Sequence, residues 1–312
     1  MAVSGGPDSV ALLLLAHAAF PGSVMAATVD HQLRAGSAAE AQTVADLCAT
    51  IGVKHQILRL DGRSDFSAFA NLQDRARAIR YDCLERWAAG WDNDLIGARR
   101  ADWVATAHHR DDVAETFVMR AVRGAGVRGL AAMIDHRPIR PMAGISLIRP
   151  LLDWSRSELA KVVQAAGVGV VTDPSNSDPR YDRARVRKLL SMTPELPPAR
   201  LAKAARNLRD AEDALEWLVL RDLKTRLTED DHGDLLLEAD DLPFELQRRF
   251  VIRAIEGIRQ ENDIHTVWDV TGADRLVRTL TAGKGGTLAG VQARVLTAGW
   301  HFRLAPPRRP HR

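Results

Sequence analysis

Ser4-Gly5-Gly6-Pro7-Asp8-Ser9 stands between a short apolar run, Met1 to Val3, and the apolar stretch Val10 to Ala19. A strand, a glycine pair and then a helix is the order of a β-loop-α unit. Adjacent glycines permit positive φ and let backbone N–H groups approach an anion with no Cβ in the way. Pro7 suits a first helical turn, where its missing N–H is not needed. The helix N-terminus adds unpaired N–H groups and a favourable dipole, and the serines add hydroxyls. Ser4, Gly5, Gly6, Pro7, Asp8 and Ser9 are therefore expected to hold a phosphate or pyrophosphate. A plain helix cap is the alternative, and the strand-loop-helix setting makes it the weaker reading. No GxxxxGK[ST] occurs, which argues against Walker-type γ-phosphate hydrolysis.

Working outward, β-type runs alternate with helical patterns up to about residue 190, as in parallel βαβ units. Val24 to Val29, His55 to Leu60 and Trp103 to Ala107 read as strands. Ala38 to Ile51, Asn71 to Ala89 and Asp112 to Arg123 read as helices. Ser155 to Ala166 is a further helix, opened by the S-x-x-E pattern of Ser155 and Glu158 and stopped by Gly167. The expected fold is α/β, a Rossmann-like parallel sheet with flanking helices. The stretch Thr193 to Pro198 reads as a linker, so a catalytic domain over 1–190 is expected. Residues 191–312 would form a smaller, mainly helical domain beginning with the periodic stretch Arg200 to Lys224. Gly124-Ala125-Gly126-Val127-Arg128-Gly129 formally matches GxGxxG, but it follows a helix and not a strand. It reads as a flexible basic loop and not as a dinucleotide fingerprint.

The net charge is only +3, with 43 Lys and Arg against 40 Asp and Glu. Local asymmetry is stronger. Arg180 to Arg209 holds nine basic residues against two acids, and Arg120 to Arg149 holds six against one, so both stretches suit a polyanion. The longest apolar run, Val10 to Ala16, is too short to span a membrane, and no leader-like segment precedes it. Cys48 and Cys83 form no CxxC or Cys/His cluster, which disfavours a zinc site, a cysteine-ligated cluster or a disulfide scaffold and fits a reducing cytoplasm.

Two further strand ends carry chemistry. Asp30 and His31 close the second strand, and ligands of open α/β sheets bind beyond the carboxyl ends of strands, which puts both near the phosphate loop. Thr106-Ala107-His108-His109-Arg110-Asp111-Asp112-Val113-Ala114-Glu115-Thr116 crosses another strand-to-helix junction. Asp112 and Glu115, three apart, share one helix face and can hold Mg²⁺, an amine or both.

The SGGPDS loop resembles the pyrophosphate loop of N-type ATP pyrophosphatases, which split ATP into AMP and pyrophosphate. Together with VDHQLR (29–34), TAHHRDDVAET (106–116), RGAGVRGL (123–130), RPLL (149–152), DPSN (173–176) and RYDRARVR (180–187), it resembles the tRNA(Ile)-lysidine synthases across about residues 1–190. Beyond that the likeness thins to KGGTL (284–288) and VQAR (291–294). The resemblance implies an adenine nucleotide alpha hydrolase-like fold. It also implies ligation of free L-lysine to C2 of the wobble cytidine of tRNA(Ile) with a CAU anticodon, through an adenylated cytidine. ATP and Mg²⁺ are the implied cofactors. Asp112 and Glu115 become the candidate catalytic acids, with His108 a lesser one. Asp30 and His31 join the ATP site, Asp30 and Asp111 are candidate metal ligands, and Arg123, Arg128, Arg183, Arg185 and Arg187 are candidate tRNA contacts. A cytoplasmic protein without membrane contact is implied, and a homodimer stays open. Only three residues precede Ser4, which implies a clipped first strand. The chain is also shorter than long family members with an extra C-terminal domain. A thiolating enzyme with the same loop, or a noncatalytic tRNA-binding relative, are the rival readings.

Overall fold

A computed structural model of the chain describes residues 1–30, 32, 36–59, 72–90, 101–131, 133–139, 144–171 and 182–306. His31 and residues 173–176 lie outside these. The chain divides into two compact units, Met1–Arg209 and Asp210–Arg312.

The first unit carries, in order, α1 (Pro7–Ala19), β1 (Met25–Asp30), α2 (Ser37–Thr50), β2 (Lys54–Arg59), α3 (Leu72–Ala88), β3 (Trp103–Ala105), α4 (Arg110–Val122), α5 (Val127–Leu130), β4 (His136–Pro138), β5 (Ser146–Ile148), α6 (Arg156–Ala166) and α7 (Asp182–Met192). The helix α8 (Pro198–Arg226) begins in this unit, and the division between units falls within it. The boundary expected near residue 190 lies before that helix.

β1 pairs with β2 in parallel, and β3 pairs with β5 in parallel, with β4 antiparallel at the far side of β5. Residues 1–3 stitch the two groups together. Ala2 bridges Ala27 in parallel, the Val3 N–H donates to the Ala27 carbonyl (2.9 Å), and the Ala2 N–H donates to the Ala105 carbonyl (3.0 Å). The expected parallel α/β sheet is thus present, with one antiparallel strand. Because residues 1–3, β1 and β3 run the same way, Ser4, Asp30 and Thr106 all emerge at one edge of the sheet. Val10, Ala11 and Leu12 of α1 pack with Leu159 and Val163 of α6, while Leu13 faces Val3, Ala26 and Val44.

The second unit corrects the expectation of a mainly helical domain. It contains β6 (Leu227–Glu229), β7 (Leu235–Leu237), α9 (Phe244–Glu261), α10 (Gly272–Thr281), β8 (Gly286–Leu288), β9 (Val291–Leu296) and β10 (Gly299–Leu304). The strands form an antiparallel sheet in the order β6-β7-β10-β9-β8. Phe250, Val251, Ile255 and Ile258 of α9 form a core with Leu237, Val291, Trp300 and Phe302 of the sheet. Three of the five strands are three residues long, too short to show a period of two. Gly299 has φ +139°, and a Cβ there would lie 2.4 Å from the Leu237 carbonyl oxygen, so only glycine permits the β7–β10 approach.

Candidate active site

The phosphate loop is closed by its own serines. Ser9 Oγ accepts the Ser4 N–H (3.1 Å) and donates to the Gly6 carbonyl (2.9 Å). Gly5 sits at φ +86°, and a Cβ on it would meet Val171 at 2.9 Å and Val44 at 3.0 Å. Its carbonyl accepts the Val171 N–H (2.9 Å). Gly6 caps α1 in extended conformation, with Pro7 opening the helix and the Asp8 carboxylate in its first turn. The first-turn N–H groups of such a helix have no intrahelical partner and are available to an anion.

The acid-bearing turn of α4 faces this loop. His109 is the residue before the helix, it is completely buried, and its backbone N–H donates to Asp112 Oδ2 (3.1 Å). Its Nε2 lies 3.4 Å from Asp8 Oδ2 and 3.6 Å from Asp112 Oδ2, and its Nδ1 lies 3.7 Å from Asp111 Oδ2. Burial opposes protonation of this ring, but the carboxylates of Asp111, Asp8 and Asp112 outweigh it and raise its pKa to about 9. Burial works in the opposite direction on Asp111, where His109 and the Arg156 N–H prevail and hold the carboxyl at about 2. Asp111 Oδ2 accepts that Arg156 N–H at 3.0 Å, which pins the start of α6 to α4.

His108 differs from its neighbour. Its Nδ1 is 2.9 Å from Thr106 Oγ1, and burial, followed by the nearby Arg149, Arg77 and Arg183, lowers its pKa to about 3. It is a neutral ring at physiological pH.

Glu115 is buried and surrounded by arginine. It accepts from Arg183 Nε (2.9 Å), from Arg187 Nε (2.7 Å) and from Arg187 Nη2 (3.3 Å), with Arg156 Nη2 at 4.0 Å. Arg183 also reaches Asp112 Oδ1 (3.5 Å). α7 therefore lays two guanidinium groups across the acid pair of α4. Arg123 and Arg185 meet elsewhere, both on Asp182, with the first at 2.7 Å.

The structure thus draws Asp8, Asp111, Asp112, Glu115, Arg183 and Arg187 into one connected cluster. Asp30 is buried at the end of β1, where its Oδ1 accepts the Gln32 N–H (2.9 Å), and none of its described contacts reaches the α4 acids. The 123–130 segment contains the short helix α5 in place of an uninterrupted loop, and Arg120 Nη1 donates to the Gly129 carbonyl (2.7 Å). Sequence reasoning missed His109. Its signal was its place directly before the helix, three residues from Asp112, which is the spacing of a cap and its third helical residue.

Mg²⁺ takes hard oxygen donors, and the loop presents one. Asp8 Oδ1 is buried and without a hydrogen-bond partner, so this oxygen suits such an ion.

Comparison with known proteins agrees with this geometry. The PP-loop domain family, ATP_bind_3, matches residues 1–195. The chain is 41% identical to a tRNA(Ile)-lysidine synthase of Novosphingobium aromaticivorans over 315 residues, covering 100% of this chain and 90% of that protein. A tRNA(Ile)-lysidine synthase of Zymomonas mobilis is also 41% identical, over 99% of this chain and 89% of its own. Among solved structures, the U34-tRNA thiolase NcsA from Methanococcus maripaludis, with its 4Fe-4S cluster, superposes with a TM-score of 0.54 at 17% identity. It covers 68% of this chain and 70% of its own, a likeness of fold alone. With a PP-loop ATP-binding domain and this identity along its whole length, the chain belongs to the tRNA(Ile)-lysidine synthase family.

Proposed function

We propose that the protein ligates free L-lysine to C2 of the wobble cytidine of CAU-anticodon tRNA(Ile), releasing AMP and pyrophosphate. The observation that carries this reading is the buried acid pair of α4 set against the phosphate loop, with Asp112 ion-paired to the same His109 that faces Asp8.

The chemistry explains why both halves are needed. Cytosine O2 is a weak nucleophile and a worse leaving group. Its attack on the α-phosphorus of ATP forms the O2–P bond and expels pyrophosphate onto the loop. The open N–H groups at the start of α1 suit the developing negative charge. Asp8 would hold Mg²⁺, with Asp30 and Asp111 the further candidate ligands, and the ion would supply positive charge at the departing phosphates. With O2 adenylated, C2 is electrophilic. The lysine ε-amine, with a reference pKa of about 10.4, must lose a proton before it attacks. AMP then leaves with the former O2.

Asp112 suits the proton-accepting role better than Glu115. Three guanidinium hydrogen bonds already occupy the Glu115 oxygens, which makes Glu115 the anchor of Arg183 and Arg187. Asp112 accepts one backbone N–H, with His109 Nε2 at 3.6 Å and Arg183 Nη2 at 3.5 Å as longer ion pairs. His108, neutral and hard to protonate, suits a hydrogen-bonding role and not that of the base. Arg123, Arg128 and Arg185 remain the candidate contacts for anticodon-loop phosphates, because an unpaired base needs only stacking and edge contacts once the backbone is held. Sulfur transfer finds less support. Cys48 lies on the buried face of α2, its thiol pushed up to about 11 by burial, and Cys83 packs against a different cluster.

The test incubates pure protein with a CAU-anticodon transcript, labelled lysine and Mg-ATP. Lysine should appear on RNA in step with AMP. AMP formed only with a sulfur donor would replace this reading by thiolation, and tight RNA binding without AMP would replace it by a noncatalytic binder.

A further inference from the structure

His109 stands within 4 Å of carboxylates on both halves of the site, and the reaction scheme above gives it no task. Its ring is completely buried, and three carboxylates face its two nitrogens. A buried ring set among carboxylates from two elements calls for an explanation.

The surroundings supply one. The His109 backbone is fixed on three sides: its N–H donates to Asp112, its carbonyl accepts the Val113 N–H (3.2 Å), and it bridges Leu151 in parallel. The ring therefore cannot drift with either acid. From this fixed point Nε2 lies between Asp8 of α1 and Asp112 of α4, and Nδ1 faces Asp111. All three carboxylates stand at 3.4–3.7 Å, long for charge-assisted hydrogen bonds. Hydrogen bonds of a catalytic site are often long without substrate and tighten when it binds. A contraction of a few tenths of an ångström at either acid would be felt at the other through the shared nitrogen.

We infer that His109 is a positioning residue that couples the phosphate loop to the acid-bearing turn of α4, so that nucleotide binding sets Asp112 for the amine and the amine steadies Asp8. This rests on the lysine-ligation reading for its meaning, but not for its measurement. Among the described residues, Asp112 has His109 and Arg183 as its ion-pair partners within 4 Å, and of these His109 also stands against the loop, at Asp8.

The experiment is therefore a binding cycle with a non-hydrolysable ATP analogue and Mg²⁺ on the full chain, in the His109 and His109→Ala backgrounds. Asp112→Asn should change the analogue Kd by about threefold or more when His109 is present and leave it unchanged in His109→Ala. Equal shifts in both backgrounds, or no shift in either, would overturn the coupling. His109→Gln serves as a second background if His109→Ala does not fold, judged by its melting curve, and the same loss of coupling is expected. In turnover, Asp8→Asn should raise the KM for lysine as well as for ATP, and only the latter in the His109 variant. A purely structural histidine would lower the active fraction without moving the cross-term. Failure of the wild-type protein to incorporate lysine would sink the parent reading alone, since the analogue cycle needs no turnover.

Discussion

Asp112 and Glu115 show how two carboxylates three residues apart acquire different tasks from their neighbours. Glu115 is saturated by Arg183 and Arg187, whereas Asp112 is paired more loosely, with Arg183 at 3.5 Å and His109 at 3.6 Å, and on our proposal that leaves it to take the amine proton. Asp112→Asn should therefore slow lysine transfer by on the order of 100-fold while transcript affinity stays within about twofold, as expected for a lost general base. Single-turnover transfer from preformed adenylate and a filter-binding titration measure the two quantities. An equal fall in both would remove Asp112 from the proton-accepting role. The acid pair was legible in the sequence because its spacing is local. Its arginine partners were not, since Arg183 and Arg187 lie 68 and 72 residues further along the chain. Arg183 and Arg187, read from the sequence as RNA contacts, are engaged inside the protein.

At the scale of elements, capping signals gave the clearest correspondence. Ser155 accepts the Glu158 N–H (3.2 Å) while Glu158 accepts the Ser155 N–H (2.7 Å), and Gly167 ends α6 in the left-handed region. These are contacts within four residues, so sequence alone specifies them. The same helix start donates the Arg156 N–H to Asp111, which links a local cap to the site. Ser155→Ala should lower unfolding free energy by about 1 kcal/mol, read from urea midpoints at constant m-value. An unchanged midpoint would show that packing of Leu159 and Val163 holds α6 without its cap. The short strands of the second unit were not legible for the converse reason. Their partners are remote, and three residues carry too little alternation to distinguish strand from loop.

For the whole molecule, buried histidines of the first unit set opposing pH limits. Burial pushes His55 down to about 4, and His108 is held at about 3, both below the unfolded value of about 6.5. Each contributes stability that is complete above about pH 6.5 and is lost as pH falls towards its folded value. His109, raised to about 9, contributes stability that is complete below about 6.5 and is lost as pH rises through 9. Unfolding free energy should peak near neutrality. It should drop by about 1–2 kcal/mol per depressed histidine at pH 5. Urea denaturation at pH 5, 6.5 and 9 measures this, and His108→Gln should flatten the acid limb. A flat profile between pH 5 and 6.5 would contradict the burial of these rings.

The loop, the first-turn acids, the caps and the alternation of strands with helices in the first unit follow from the amino-acid order. Each of these depends on residues close along the chain, where backbone geometry leaves few alternatives. Folding sets which charges meet, giving Glu115 two arginines and placing His109 between Asp8 and Asp112, and it builds the second unit on an antiparallel sheet. Those pairings join residues far apart in the chain. Their strength comes from burial, which removes competing water, and burial is a property of the folded whole and not of any segment.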